Sequence, residues 1–179
     1  MELHFINSEH RRIPTLVQRN DGVELSVPVF GPLAPIPHDL AHFVVESELR
    51  LQGGFWGSVA AGAVFPGMKI VAGRQRPHAR ERSEEIMKAN HREILLSEGL
   101  VAAALGIHEG TTSINELRPM VYAGKAFTRE AQTDALARLR TPIEEMCARW
   151  AATPPGGTLT VTWPEQQVRA THGGRRHAS

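Results

Sequence analysis

The sequence predicts an α+β fold, in which an N-terminal antiparallel β-hairpin or small sheet is rejoined by a C-terminal strand and packed against four to five helices. Three observations carry this. Apolar and polar residues alternate near both ends of the chain, at residues 3–5, 15–18, 23–29 and 158–163. Asn20-Asp21-Gly22 separates two of these runs, and such residues accept the positive φ of tight hairpin turns. Helical periodicity with recognisable caps fills the middle. A length of 179 residues suits a single core. The expected domain is 1–170, followed by a mobile tail over 171–179 that has no apolar anchor.

The elements follow in order. Leu3 and Phe5 alternate with polar neighbours in a first strand, and Thr15-Leu16-Val17-Gln18 forms a second. In the third, Val23, Leu25, Val27 and Val29 share one face. Pro32, Pro35 and Pro37 stiffen a connector, and Pro37 suits the first turn of a helix running from about Pro37 to Leu51, with Gly53-Gly54 as its stop. Between Phe55 and Gly73 the pattern is ambiguous. Pro66-Gly67 fits the centre of a type II turn, with Val64-Phe65 and residues 68–71 as short flanking strands. Ser83 is a candidate cap for a long helix ending at Gly106, with Ile86, Leu95, Leu96, Leu100, Val101 and Leu105 as its apolar stripe. Ser113-Ile114-Asn115-Glu116 reads as a capping box for a helix ending by Gly124. Thr128 opens another helix containing Leu136 and Leu139, and Thr141-Pro142-Ile143-Glu144 marks a new helix or a kink. Residues 158–163 read as the strand that returns to the sheet.

Composition narrows the function. Twenty Lys+Arg against nineteen Asp+Glu give a formal net charge of +1, so the concentrated positive footprint of a nucleic-acid binder is not expected. The N-terminus lacks the basic and apolar regions of a signal peptide, and the uncharged stretch Gly53–Met68 is too short and too interrupted to span a membrane. Its expected fate is burial, or else a self-association patch. The single cysteine, Cys147, fits a reducing cytoplasm and reads as an inert thiol. No Gly-rich phosphate loop is present. Arg74, Arg76, Arg80 and Arg82 make a basic connector, read as a solvated linker or a surface for an acidic partner.

The chemistry concentrates in Pro37-His38-Asp39-Leu40-Ala41-His42-Phe43-Val44-Val45-Glu46. Residues four apart on a helix lie on one side, about 6 Å apart along the axis, so His38 and His42 can offer imidazoles to one ion. Glu46 lies about 12 Å from His38 along that axis, too far to share the ion comfortably, and is better placed to orient His42. Asp39, His42 and Glu46 form a polar stripe expected to face a cleft or water, opposite Leu40, Phe43, Val44 and Leu51. A third ligand must come from elsewhere. His91 is the best placed if the long helix faces this one, with Glu85, Glu93, His78 and His108 as alternatives. Phe55-Trp56 could wall the site.

This segment resembles the zincin metallopeptidase motif, His-Glu-x-x-His on a helix, over five residues. The resemblance implies zinc ligation by His38 and His42 and a general base at Asp39. Aspartate is one methylene shorter than the usual glutamate, which would draw the carboxylate back by about 1.5 Å. The metzincin extension is absent. His38-Asp39 also resembles the His-Asp pair of HD-domain phosphohydrolases, which are all-helical, whereas the upstream His4 and His10 lie in strand-like sequence.

The resulting expectation is a cytoplasmic zinc-binding protein, since imidazole suits zinc better than magnesium or calcium. It would act as a metal-dependent hydrolase on a small-molecule or peptide substrate, with Asp39 or Glu46 as base and His38, His42 and His91 as ligands. The alternative is a non-enzymatic binding or homodimeric assembly module, in which the Phe55–Met68 stretch mediates self-association and the His/Glu stripe is structural.

Overall fold

The computed structural model describes residues 1–8, 13–29, 35–115, 120–122 and 125–164, with the backbone alone for 120–122 and 125–127. The N-terminal strands are β1 (Glu2–Ile6), β2 (Thr15–Gln18) and β3 (Glu24–Val27). They are followed by α1 (His38–Leu49), α2 (Phe55–Ala61), β4 (Lys69–Ala72) and α3 (Ala79–His108). The chain continues through β5 (Met120–Tyr122), β6 (Lys125–Phe127), α4 (Arg129–Ala151) and β7 (Thr158–Thr162). The α+β class is therefore as the alternation indicated.

One antiparallel sheet has the order β4-β3-β2-β1-β7, so the C-terminal strand lies beside the first, with Leu3 opposite Val161. The β2–β3 hairpin pairs Gln18 with Glu24 across a turn in which Gly22 takes φ 81°. Alternation along these strands puts Leu3, Phe5, Val17, Leu25, Val27, Leu159 and Val161 on a buried face. They form one core with Leu40, Val44, Trp56, Leu100, Leu139 and Ile143 from the four helices. Phe5 meets Trp56 edge-on, with ring centroids 6.3 Å apart. At the sheet edge β4 is short and exposed along its length, and its pairing with β3 carries a register shift at Glu24/Leu25.

Several local expectations are corrected. Helix α1 stops at Arg50, which takes the left-handed conformation (φ 56°), and not at Gly53-Gly54. The ambiguous segment contains α2, and Val64-Phe65 is not a strand, although Phe65-Pro66-Gly67-Met68 does turn with Met68 N–H bonded to the Phe65 carbonyl at 3.1 Å. The body of the Gly53–Met68 stretch is buried, with Trp56, Val59 and Ala63 fully so. Helix α3 begins before Ser83, whose hydroxyl serves another chain segment: it accepts from Val64 N–H (2.9 Å) and donates to the Val64 carbonyl (3.3 Å). Met120–Tyr122 pairs with Lys125–Phe127 as a hairpin, so a helix from Ser113 to Gly124 does not form there, whereas residues 116–119 lie outside the described residues. The β-prone Met-Val-Tyr sequence explains the hairpin. Thr128 caps α4, accepting from Ala131 N–H at 3.2 Å, and the helix runs unbroken through Pro142. The tail over 171–179 also lies outside the described residues.

Because Trp56 is wholly buried and its Nε1 donates to the Asp39 carbonyl at 2.7 Å, it belongs to the core and not to a surface. Trp56→Ala should lower unfolding free energy by about 3–5 kcal/mol. Urea denaturation followed by circular dichroism checks this, and a change below 1 kcal/mol would contradict the placement.

Candidate metal centre

Helix α1 is buried on nearly every side. Leu40, Ala41, Val44 and Val45 pack into the core, but Asp39, His42 and Glu46 are buried as well. Of the cleft or water that the helical wheel offered, the polar stripe takes the cleft: Asp39 and His42 border a cavity, and Glu46 is wholly buried behind them. The stripe is enclosed by α2, by α3 and by Thr15 of β2, whose hydroxyl donates to Asp39 Oδ2.

Glu46 is fully buried and accepts four hydrogen bonds. Phe55 N–H (2.7 Å) and Trp56 N–H (2.8 Å) are the first amides of α2, which have no acceptor inside that short helix. Ser97 Oγ donates from α3 at 2.6 Å, and His42 Nδ1 lies at 3.0 Å. The approach needs a bare backbone at Gly54, where an added Cβ would fall 2.4 Å from the Glu46 carboxyl carbon. Gly54 therefore admits a carboxylate where the sequence suggested a helix stop.

This arrangement fixes the His42 ring. Its Nδ1 faces Glu46 and Ser97 Oγ (2.9 Å), and because Ser97 spends its proton on Glu46, both neighbours accept and Nδ1 carries hydrogen. Nε2 is left toward His38 and Glu98. The two imidazoles stand with centroids 4.7 Å apart and planes at 69°. From α3, Glu98 Oε2 comes within 3.3 Å of His42 Nε2 and 3.6 Å of His38 Nε2. The contact with His42 is a charge contact that misses hydrogen-bond geometry, so its buried Nε2 has no hydrogen-bond partner among the described residues. One ligand atom each from His38, His42 and Glu98 lie within 4.8 Å of one another, a group that could hold a metal ion. Ligand atoms about 2.0–2.1 Å from a tetrahedral zinc sit roughly 3.3 Å apart, close to the two measured separations.

The charges follow from the surroundings. Burial works to lower His42, but its hydrogen bond to Glu46, the approach of Glu98 and their two negative charges outweigh it and raise the pKa to about 9. Burial lowers His38, the charge on His42 lowers it further, and Glu98 offsets part of this. The interaction with His42 holds Glu98 below its ordinary value against the opposing effect of burial. Burial raises Asp39, only partly countered by the Thr15 hydrogen bond, and its Oδ1 is buried with no hydrogen-bond partner among the described residues.

Phe55, Phe65, Pro66 and Ile94 complete a cavity of about 260 Å3 bordered by His38, Asp39, His42 and Glu98. Phe55, half-buried, lies 5.7 Å from the His42 ring. Of the other residues considered as a third ligand, His91, Glu85, His78 and His108 are exposed and lie outside the group. Glu93 accepts from Gly53 N–H at 2.6 Å. Sequence reasoning missed Glu98 among the acidic residues of α3. Its signal was the adjacent Ser97, a small polar residue interrupting the apolar stripe where α1 crosses. Cys147 is half-buried, and burial, followed by Glu109 and Glu144, pushes its thiol up, as suits an unreactive side chain.

The chain matches no known protein family, no curated protein and no solved structure. Among the described residues no helix is long and apolar enough to cross a membrane.

Two predictions follow from the geometry. Glu46→Gln leaves a single acceptor for donors that now share two oxygens, and should destabilise the fold by about 1–3 kcal/mol for each donor orphaned. Chemical denaturation reads this, and a neutral substitution would refute the four-donor assignment. In chelator-treated protein, His42 binds its proton more tightly folded than unfolded. Its stabilisation is complete below pH 6.5, the ordinary value, and is lost as pH rises through about 9. Melting temperatures across that range should fall for the parent chain and flatten for His42→Gln.

Proposed function

We propose that this chain binds a divalent ion, zinc, through His38, His42 and Glu98, and that the loaded site hydrolyses a small substrate carrying an apolar group. The observation that carries the reading is the buried Nε2 of His42, which has no hydrogen-bond partner among the described residues and is held by Glu46 and Ser97 so that it points toward a second imidazole and a carboxylate. A buried polar atom without a partner is costly, and an ion between these three groups would satisfy it. Two imidazoles and a carboxylate suit zinc. Three protein ligands leave a fourth position open, the pattern of catalytic and not of structural zinc sites. When bound, such an ion supplies Lewis acidity and lowers the pKa of a coordinated water.

The residues around it have separable roles in this reading. Glu46 positions His42, since its oxygens are taken by four donors, and it is not the base. Asp39 borders the cavity, its Oδ1 has no hydrogen-bond partner among the described residues, and burial raises its pKa, which favours the protonated form and suits it to exchange a proton. Phe55, Phe65, Pro66 and Ile94 take the apolar portion of the substrate and exclude water from it. His91 is not a ligand.

Elemental analysis of untagged protein purified without chelator should find about one zinc per chain. His42→Ala and Glu98→Gln should each lose it, while His91→Ala keeps it. A metal-free parent chain under zinc-replete expression overturns the reading. Hydrolysis of a panel of aryl esters and aryl phosphates should be abolished by chelation and restored by zinc. Asp39→Asn should lower kcat by about 10²–10⁴-fold with zinc content unchanged. If zinc is bound and no member of the panel is turned over, the hydrolase half of the reading falls and the binding half stands.

A further inference from the structure

A second cavity lies at the other end of α3. It has a volume of about 350 Å3, within the roughly 300–1,000 Å3 of small-molecule sites. Three arginines border it, Arg19 from the β2–β3 turn, Arg76 from the β4–α3 connection and Arg82 from the first turns of α3. Asp21 is the one acidic residue in the lining, and Arg19 already holds it, through Nε at 3.0 Å and through Nη2. That pairing keeps Asp21 below its ordinary pKa. Neither Arg76 nor Arg82 forms an ion pair with a described residue.

Two independent features point to an anion. The Arg19 side chain is only 7% exposed, yet its Nη1 is buried with no hydrogen-bond partner among the described residues. The N-terminus of α3 also opens beside the cavity. His78 makes no side-chain cap, Ala79 borders the space, and Arg82 N–H is the first to find a helical acceptor, the His78 carbonyl at 3.1 Å. The preceding amides and the aligned peptide dipoles of a 30-residue helix favour negative charge there. Across the cavity, Ala60, Ala61, Gly62 and Ile86 form a small, mostly apolar wall.

We infer that this cavity binds the phosphoryl group of a small phosphate monoester. The arginine forks of Arg76 and Arg82 and the α3 amides take the oxygens, Arg19 supplies the buried charge, and the organic portion lies against the Ala60–Gly62 wall. Arg82 and Glu98 are sixteen residues apart on α3, about 24 Å along the axis, so the site is separate from the His38/His42/Glu98 group and stands without it. Arg76 and Arg82 of the basic connector thereby line the cavity, while Arg74 and Arg80 stay exposed outside it, Arg80 pairing with Glu84.

Calorimetry and thermal shift on the full chain test this with inorganic phosphate, glycerol phosphate and sodium chloride of matched ionic strength, with a short DNA duplex as a fourth arm. Both phosphates should bind and raise the melting temperature where chloride does not, with glycerol phosphate the tighter. The exposed variants Arg76→Gln and Arg82→Gln should each weaken binding by about tenfold or more, and Arg140→Gln, which removes the same charge on α4, should leave it unchanged. Equal effects of chloride, or affinities indifferent to Arg76 and Arg82, overturn the proposal. So does a duplex that binds through these arginines while the monoesters do not, which would identify the surface as one for polyanions.

Discussion

The carboxylate of Glu46 is the joint on which the helical half of the molecule depends. A carboxylate with no exposed surface is costly to bury, and among the described residues no lysine or arginine is paired with it. Four donors from three directions offset that cost: the opening amides of α2, the Ser97 hydroxyl of α3 and the imidazole of α1 itself. Each donor would otherwise be a buried polar group in need of a partner. The same contacts therefore settle where α2 starts, how α3 lies against α1, and which nitrogen of His42 is free. Fold and site share one set of hydrogen bonds.

The sheet was largely legible because its signal is local. Period-two alternation and an Asn-Asp-Gly turn need no knowledge of neighbours, and β1, β2, β3 and β7 fall where they indicate. Thr128 was equally readable, since a cap acts within its own turn. The failures came where a residue with a familiar local role is engaged elsewhere. Ser83 could cap a helix but bonds Val64, and Gly54 could end one but makes room for Glu46. Helix α2 escaped notice because seven residues with two aromatics and a glycine carry little periodicity, and its first amides are satisfied from another helix.

The candidate site was half legible for the same reason. His38, His42 and Glu46 lie on one short helix, so spacing alone brings them together. Glu98 could not be chosen from α3 because that helix carries acidic residues along most of its length and packs against α1, α2 and α4 at different points. Which carboxylate arrives is a question of interhelical register, and that is decided by Ser97 meeting Glu46 one residue earlier. His91 lies seven residues before Glu98, about 10 Å further along the helix, on the right element but beyond reach.

The far edge of the sheet has a different consequence. Strand β4 leaves Ile70 and Val71 41% and 55% exposed, an invitation to another chain's backbone. Yet it is only four residues long, opens on Lys69, and meets β3 through an irregular register. Short length, a positive charge and a bulge are the devices by which free edges discourage accretion. This edge is thus self-terminating: it ends in apolar side chains without offering the long, flat ladder on which fibrils grow.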